Sequence, residues 1–384
     1  MTGEPPRPHR RRRPWLVNSG LVVVSIVVGL LAGEIGLRLS HDNVSLWRWP
    51  NYIAEANKPD PNAVPDVVRY DPELGWEPRP GAVDEVYRRR IVFSADGFRV
   101  STPEPVSPPD EAPNLPKGPP ILAVGDSFTE GWGLEADQPW PARLEIETGR
   151  PVINAGVRSY GLDQIVLRTE RLLRTLKPAQ KPSLVILAFI EEDIDRLGDA
   201  VHALHYKPWF EPLADGAPGT PNTADGLVLR GVPVPPEPWD GPAHLWRRVL
   251  GYSYLADVVM RHFGLIDLWE GVNVPNGVAD TDLVACRLMH RFAGDLKQHG
   301  LPGLVVALPE YREWATPALH VVAHRRNEAV LTCARDAGLR TLDVWDDLVK
   351  AGIVRSPEDF NNDGMHLNAR GHALAARSIA AALQ

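Results

Sequence analysis

From residue 120 onward the sequence alternates short apolar runs with amphipathic stretches, and no other feature restricts the fold as much. The apolar runs are 121–124, 152–155, 184–189, 304–308 and 341–344. Runs this short, without a polar residue at every second place, suit strands buried on both faces of a parallel sheet. Between and around them, 140–148, 163–176, 282–298 and 321–336 carry apolar residues at helical spacing. Strand and helix in alternation predict an α/β fold: a doubly wound parallel sheet of about five strands, a flavodoxin-like three-layer sandwich with right-handed crossovers.

Such sheets bind ligands beyond the carboxyl ends of their strands. Two motifs fall there. Gly125-Asp126-Ser127 follows the first apolar run, and Asn154-Ala155-Gly156 closes the second. A serine where a strand turns into a helix exposes its hydroxyl and aims its own N–H at the same point, which suits a nucleophile; the same position also suits a simple helix cap. The stretch lacks the Gly-Lys-Ser/Thr ending of a phosphate loop and any Gly-x-Gly-x-x-Gly, so nucleotide binding has no support.

Near the other end, Asp363 and His366 precede a helical run at 369–383. In a loop, this spacing lets the carboxylate hold one ring nitrogen while the other takes a proton from Ser127. Asp359, Asn361, Asp363 and Gly364 match the first half of a calcium loop, but Arg370 stands where a bidentate Glu is required. Asp363 and His366, even with His202 and His205, make no convincing metal set, so neither metal nor cofactor is expected.

The N-terminus differs from the rest. Arg7 and Arg10 to Arg13 precede an apolar run at 15–33, long enough as a helix to cross the ~30 Å core of a bilayer. A cleaved signal peptide shares these parts, but the candidate pairs Leu30 with Ala32, Leu31 with Gly33, and Glu34 with Gly36 are not small at both places. The expected layout is a basic cytoplasmic tail at 1–14, a transmembrane anchor at 15–33 and an extracytoplasmic remainder, by the excess of positive charge inside. Residues 34–119 read as a lead-in of short strands or irregular chain ending in a Pro-dense connector at 103–120, where the main boundary is expected, before a domain at 120–384.

One segment, 198–280, breaks the alternation, being rich in Pro, Gly and Trp with one helix-like stretch at 244–263. Its length predicts a cap beside the site, with Trp209, Trp239 and Trp246 as packing or sugar-stacking aromatics. A formal net charge of -8 argues against a nucleic-acid binder. Cys286 and Cys333 fall on the helices flanking the fourth apolar run, where they pair in an oxidising compartment or serve as small buried hydrophobes.

The ordered set Gly-Asp-Ser-Phe-Thr-Glu-Gly at 125–131, Asn154-Ala155-Gly156, the strand ending near Asp193 and Asp363-Gly-Met-His366 resembles the SGNH, or GDSL, hydrolase superfamily over about 120–384. Tyr70-Asp-Pro, Leu74-Gly-Trp76 and Gly97-Phe-Arg99 look like the lead-in of its membrane-tethered bacterial members. The resemblance implies Ser127 as nucleophile, His366 as base, Asp363 as its orienting partner, and the N–H groups of Ser127 and Gly156 as oxyanion donors. Its third donor is an Asn side chain, and Glu192 stands in that place here. The activity implied is that of a serine esterase on an acylated glycan, lipid or other envelope ester. Acyl transfer to polysaccharide and a glycan-binding module with impaired chemistry are the alternatives. The implied partners are a small-molecule or glycan ester and the membrane.

Overall fold

The computed structural model describes residues 14–41, 44–53, 67–101, 118–213, 225–236 and 245–384. In chain order these form α1 (Pro14–Ser40), β1 (Val68–Asp71), β2 (Gly75–Pro78), β3 (Val83–Val86), β4 (Arg89–Val92), β5 (Ile121–Val124), α2 (Ser127–Glu130), α3 (Trp140–Thr148), β6 (Val152–Asn154), α4 (Leu162–Thr175), β7 (Leu184–Phe189) and α5 (Glu191–Asp195). The irregular segment adds β8 (Asp199–His202), β9 (His205–Tyr206), β10 (Trp209–Pro212), β11 (Leu227–Arg230), α6 (Leu245–Leu250), α7 (Tyr254–His262), α8 (Ile266–Glu270) and β12 (Val274–Pro275). Then follow α9 (Thr281–Gln298), β13 (Gly303–Ala307), α10 (Tyr311–Ala315), α11 (Pro317–Asp336), β14 (Arg340–Asp343), α12 (Trp345–Lys350) and α13 (Ala369–Ala382).

The chain makes two compact units, residues 60–239 with 273–384, and residues 1–59 with 240–272. The larger holds a five-stranded sheet in the order β14-β13-β7-β5-β6. Every pairing in it is parallel. Strand order reverses at β5, so the carboxyl ends of β5 and β7 open the crevice where such sheets take their ligands.

Side-chain alternation explains why β5, β7 and β13 read as unbroken apolar runs. Leu122, Val124, Val185, Leu187, Val305 and Ala307 face one layer, built from α4, α9 and α11. Their neighbours Ile121, Ala123, Ile186, Ala188, Leu304 and Val306 face the other, built from α3, α12 and α13. Both faces are covered, so no polar alternate is tolerated.

The lead-in does not stand apart from this unit, contrary to the boundary expected at 103–120. Leu74, Trp76 and Phe98 enter the same core as β5 and β7. Gln164 donates to the Leu74 carbonyl at 2.7 Å, Arg99 N–H to the Asn154 carbonyl at 3.0 Å, and Arg171 bonds Asp71 at 2.6 Å and Glu77 at 2.7 Å. These partners are tens of residues apart, and local composition carries no trace of them. Most of the Pro-dense connector, 102–117, lies outside the described residues.

Cys286 on α9 and Cys333 on α11 are disulfide-bonded, with Cα atoms 5.2 Å apart. The smaller unit contains α1 and the three short helices α6, α7 and α8. Its helix α1 continues seven residues past the expected end at 33, because Glu34 and Arg38 find partners within the unit. The segment expected as one cap therefore divides: its strands belong to the larger unit and its helices to the smaller.

Candidate active site

The site begins at the end of β5. Gly125 must be glycine, since a Cβ there would lie 2.1 Å from Thr129 Oγ1 and 2.7 Å from the Ala188 carbonyl oxygen. Asp126 caps α2 by accepting the Phe128 N–H at 2.9 Å. Ser127 is the first residue of that helix, so its own N–H has no acceptor within the helix. At 5% exposure its side chain is screened but reachable.

The opposite wall is the loop before α13. Asp363 Oδ1 accepts the N–H groups of Met365 at 3.1 Å and His366 at 2.8 Å, a local turn that sets the carboxylate beside the ring. Its Oδ2 then bonds His366 Nδ1 at 2.8 Å. Burial works against the Asp363 charge, but the bonds from the His366 ring and backbone prevail and hold its carboxyl at about 2. An ionised Asp363 requires hydrogen on Nδ1, which leaves Nε2 as the acceptor. Nε2 lies 2.9 Å from Ser127 Oγ. Phe128 packs on the imidazole at 4.8 Å between ring centres and Trp132 at 6.3 Å, limiting its rotation. Serine, imidazole and carboxylate thus form one hydrogen-bonded line, which can pass a proton from the hydroxyl to Nε2.

The three expected oxyanion positions fare differently. Ser127 N–H stands at the helix start. Gly156 is tightly placed, since a Cβ would come 2.3 Å from the Glu130 nitrogen, but its N–H donates to Asn154 Oδ1 at 3.1 Å. Asn154 in turn donates its amide to the Thr129 carbonyl at 2.8 Å, so that side chain serves the loop. Glu192 bonds Arg312 at 2.8 Å and lies 3.5 Å from Arg196. Burial opposes its charge, yet the two guanidinium groups outweigh this and lower its carboxyl below the usual range. These contacts favour the charged form of Glu192, in which a carboxylate accepts hydrogen bonds and donates none.

Several groups at the site were not legible in the sequence. Arg196 is buried between two carboxylates, 2.7 Å from Asp193 Oδ1 and 3.6 Å from Asp126 Oδ2. Burial pushes the Asp193 carboxyl well up, with the nearby Asp126 acting in the same direction. Asp126 Oδ2 is also 3.3 Å from Ser127 Oγ, a second and longer contact for that hydroxyl. From the lead-in, Asp84 bonds Arg158 at 2.6 Å, and Arg158 also bonds Glu130 of α2 at 2.5 Å while lying 4.5 Å over the Trp132 ring. Arg89 bonds Asn362 at 3.1 Å, and the turn before it brings the Tyr87 hydroxyl to 3.5 Å from Asp363 Oδ2. The hairpin β3–β4 thus borders both walls.

After β13, Glu310 and Glu313 sit buried with one carboxylate oxygen each unpartnered. Burial is the main reason their carboxyls rise, to about 7 for Glu310 and about 8 for Glu313.

His202 bonds Asp199 at 2.9 Å, and His205 packs on Trp76 with ring centres 5.3 Å apart, so neither joins His366. Among the described residues no three His, Cys, Asp or Glu side chains converge as a metal-binding group. Trp209 lines a separate cavity of about 370 Å³ with Glu211, Arg230 and residues 276–279. Trp239 lies outside the described residues, as does the Trp246 side chain.

No family model and no curated protein matches the sequence. Among solved structures, the chain is similar to a lipolytic protein of the G-D-S-L family from Veillonella parvula DSM 2008, at 12% identity and TM-score 0.39, covering 68% of this chain and 96% of that one. It is also similar to the acetylxylan esterase Axe2 from Geobacillus stearothermophilus, at 12% identity and TM-score 0.38, covering 71% and 96%. A third is LAE5, an alpha/beta hydrolase from the metagenome of Lake Arreo, Spain, at 13% identity and TM-score 0.41, covering 69% and 94%.

Proposed function

We propose that this chain is a membrane-anchored serine esterase of the SGNH kind, acting on an acylated glycan or other envelope ester. The observation that carries this reading is the line Ser127 Oγ, His366 Nε2, His366 Nδ1, Asp363 Oδ2, with contacts of 2.9 and 2.8 Å. Its members come from opposite ends of the larger unit and meet where a parallel sheet takes its ligand.

In the proposed cycle Ser127 Oγ attacks the ester carbonyl carbon as its proton moves to His366 Nε2. The tetrahedral oxyanion forms beside the Ser127 N–H; Gly156 contributes only by sharing or releasing its bond to Asn154. Collapse breaks the bond to the alcohol, which leaves with the proton from Nε2, and the acyl group remains on Ser127. Water then attacks with His366 as base, releasing the acid and restoring the serine. Asp363 keeps its charge throughout and fixes the ring.

Two observations support an extracytoplasmic setting. Helix α1 contains, within Asn18–Ser40, a stretch long and apolar enough to cross a membrane. The Cys286–Cys333 bond suits an oxidising compartment. In this reading α1 is an uncleaved anchor.

The test is covalent labelling with a fluorophosphonate probe alongside hydrolysis of short-chain and sugar acetates. Folded wild-type protein should label and turn over substrate, and Ser127→Ala should do neither. A wild type that folds but stays unlabelled would sink the esterase reading and favour a binding module.

A further inference from the structure

We propose that the smaller unit carries a platform, residues 249–265 with Trp47, that lies in the lipid headgroup layer beside the point where α1 leaves the bilayer. The proposal rests on α1 being the membrane anchor.

The surroundings of α1 change at Glu34, its first buried residue among those described. Its side chains from Leu21 to Leu31 are exposed all round, the pattern of a helix whose neighbour is lipid. Burial begins only at Glu34 and recurs at Arg38, one helical turn on. Both charges are used within the unit. The Glu34 carboxylate accepts from Ser253 Oγ at 2.8 Å and from the N–H groups of Tyr254 at 2.9 Å and Leu255 at 2.8 Å, so it caps the N-terminus of α7. Arg38 bonds Glu34 at 2.5 Å, donates to the carbonyls of Ser45, Arg48 and Tyr252, and lies 3.9 Å over the Trp49 ring. At Gly33 a Cβ would meet Leu255 at 3.5 Å, so α7 packs directly on this turn.

Depth follows from these contacts. An apolar run from 15 to 33 spans the ~30 Å hydrocarbon layer. Glu34 then sits at its edge, and whatever is bonded to Glu34 sits at the interface with it. Beside the exposed Arg261 and His262, α7 and its flanks present six exposed apolar side chains, Val249, Leu250, Tyr252, Val259, Phe263 and Leu265, Phe263 at 69%. Trp47 is exposed at 94% and follows α1 by seven residues. Isolated exposed apolar residues are ordinary, but seven in one small unit continuous with a lipid-exposed helix are not. Trp and Tyr collect at membrane interfaces because their rings are apolar and their N–H or O–H needs water. The bilayer is the one occupant already fixed beside this face by the covalent chain.

The test uses the full chain in phosphatidylcholine vesicles containing one-quarter phosphatidylglycerol by moles. The native cysteines are joined to each other, so single substitutions Val24→Cys, Leu250→Cys and Phe263→Cys can each take a bimane label. Quenching is read with lipids carrying a nitroxide either high or deep on the acyl chain. Labels at 250 and 263 should lose at least half their emission to the shallow quencher and less to the deep one. The label at 24 should respond mostly to the deep quencher. If the label at 24 is quenched at depth while 250 and 263 are not quenched, the platform is overturned and the anchor stands. If the label at 24 escapes the deep quencher, the anchor reading falls and the platform with it.

Discussion

At the scale of single residues, the hydrogen-bonded line of Ser127, His366 and Asp363 was legible because each member announces itself locally: Ser127 follows a strand in a Gly-Asp-Ser motif, and Asp363 precedes His366 by three. Glu192 was legible as a departure, but its state was not, since Arg312 is 120 residues away. A carboxylate held ionised by two guanidinium groups donates no hydrogen bond and opposes nearby negative charge. Losing one oxyanion donor costs a factor of ~10² to 10³. Glu192→Asn should therefore raise kcat/KM for a short-chain ester by about tenfold or more at neutral pH. An unchanged rate places Glu192 outside the oxyanion site. Glu313 makes a separate prediction about stability. Its folded carboxyl, raised by burial to about 8 from an ordinary value of 4.5, binds a proton that the unfolded chain has lost. The resulting stability is complete below about 4.5 and is lost as pH rises toward 8, at about 1.4 kcal/mol per pH unit. Glu313→Gln should flatten this decline in urea melts run between pH 5 and pH 8. A variant that keeps the wild-type slope assigns the decline to another group.

At the scale of elements, the parallel strands could be read within a residue or so because three of them, β5, β7 and β13, are buried along their whole length and carry only apolar residues. The site walls were harder. The hairpin β3–β4 reaches Asn362 and Asp363 through Arg89 and Tyr87, and nothing within residues 83–92 points across that distance. Asp84 and Arg158 likewise join a lead-in strand to the helix bearing Ser127 by a contact 74 residues long. Long-range polar pairing of this kind leaves no periodic signal. The disulfide was legible only as one of two options, because the distance between α9 and α11 depends on how both helices pack on β13. Its loop spans 47 residues, for which chain entropy gives a stabilisation of about 4 kcal/mol. Cys286→Ser should lower unfolding stability by roughly this amount. The larger unit should keep its fold at room temperature, read by denaturant titration with and without reductant. Equal midpoints for reduced and oxidised wild type would show that the cross-link adds nothing.

At the scale of the whole molecule, the proposed compartment is argued from how charge and apolarity are arranged along the chain. Arg7 and Arg10 to Arg13 lie before α1, and if α1 is the proposed anchor, the excess of positive charge beside it would hold that end in the cytoplasm. The remainder would then fold outside, where the Cys286–Cys333 bond forms without competition from cytosolic thiols. A reporter fusion separates this topology from the competing one. An alkaline phosphatase, active only after export, should be active when fused after Gln384, whereas a fluorescent protein that matures only in the cytoplasm should be dark there. Fused before Met1, the fluorescent protein should be bright. Replacing the five arginines by glutamine should weaken this bias and give a mixed population. The membrane-bound protein should also have the mass of the uncleaved chain, since none of the candidate pairs between Leu30 and Gly36 is small at both required places. A phosphatase fusion inactive at the C-terminus would reverse the orientation and put the relay in the cytoplasm. Full-sized loss of residues 1–33 from the mature protein would instead make the run a signal peptide.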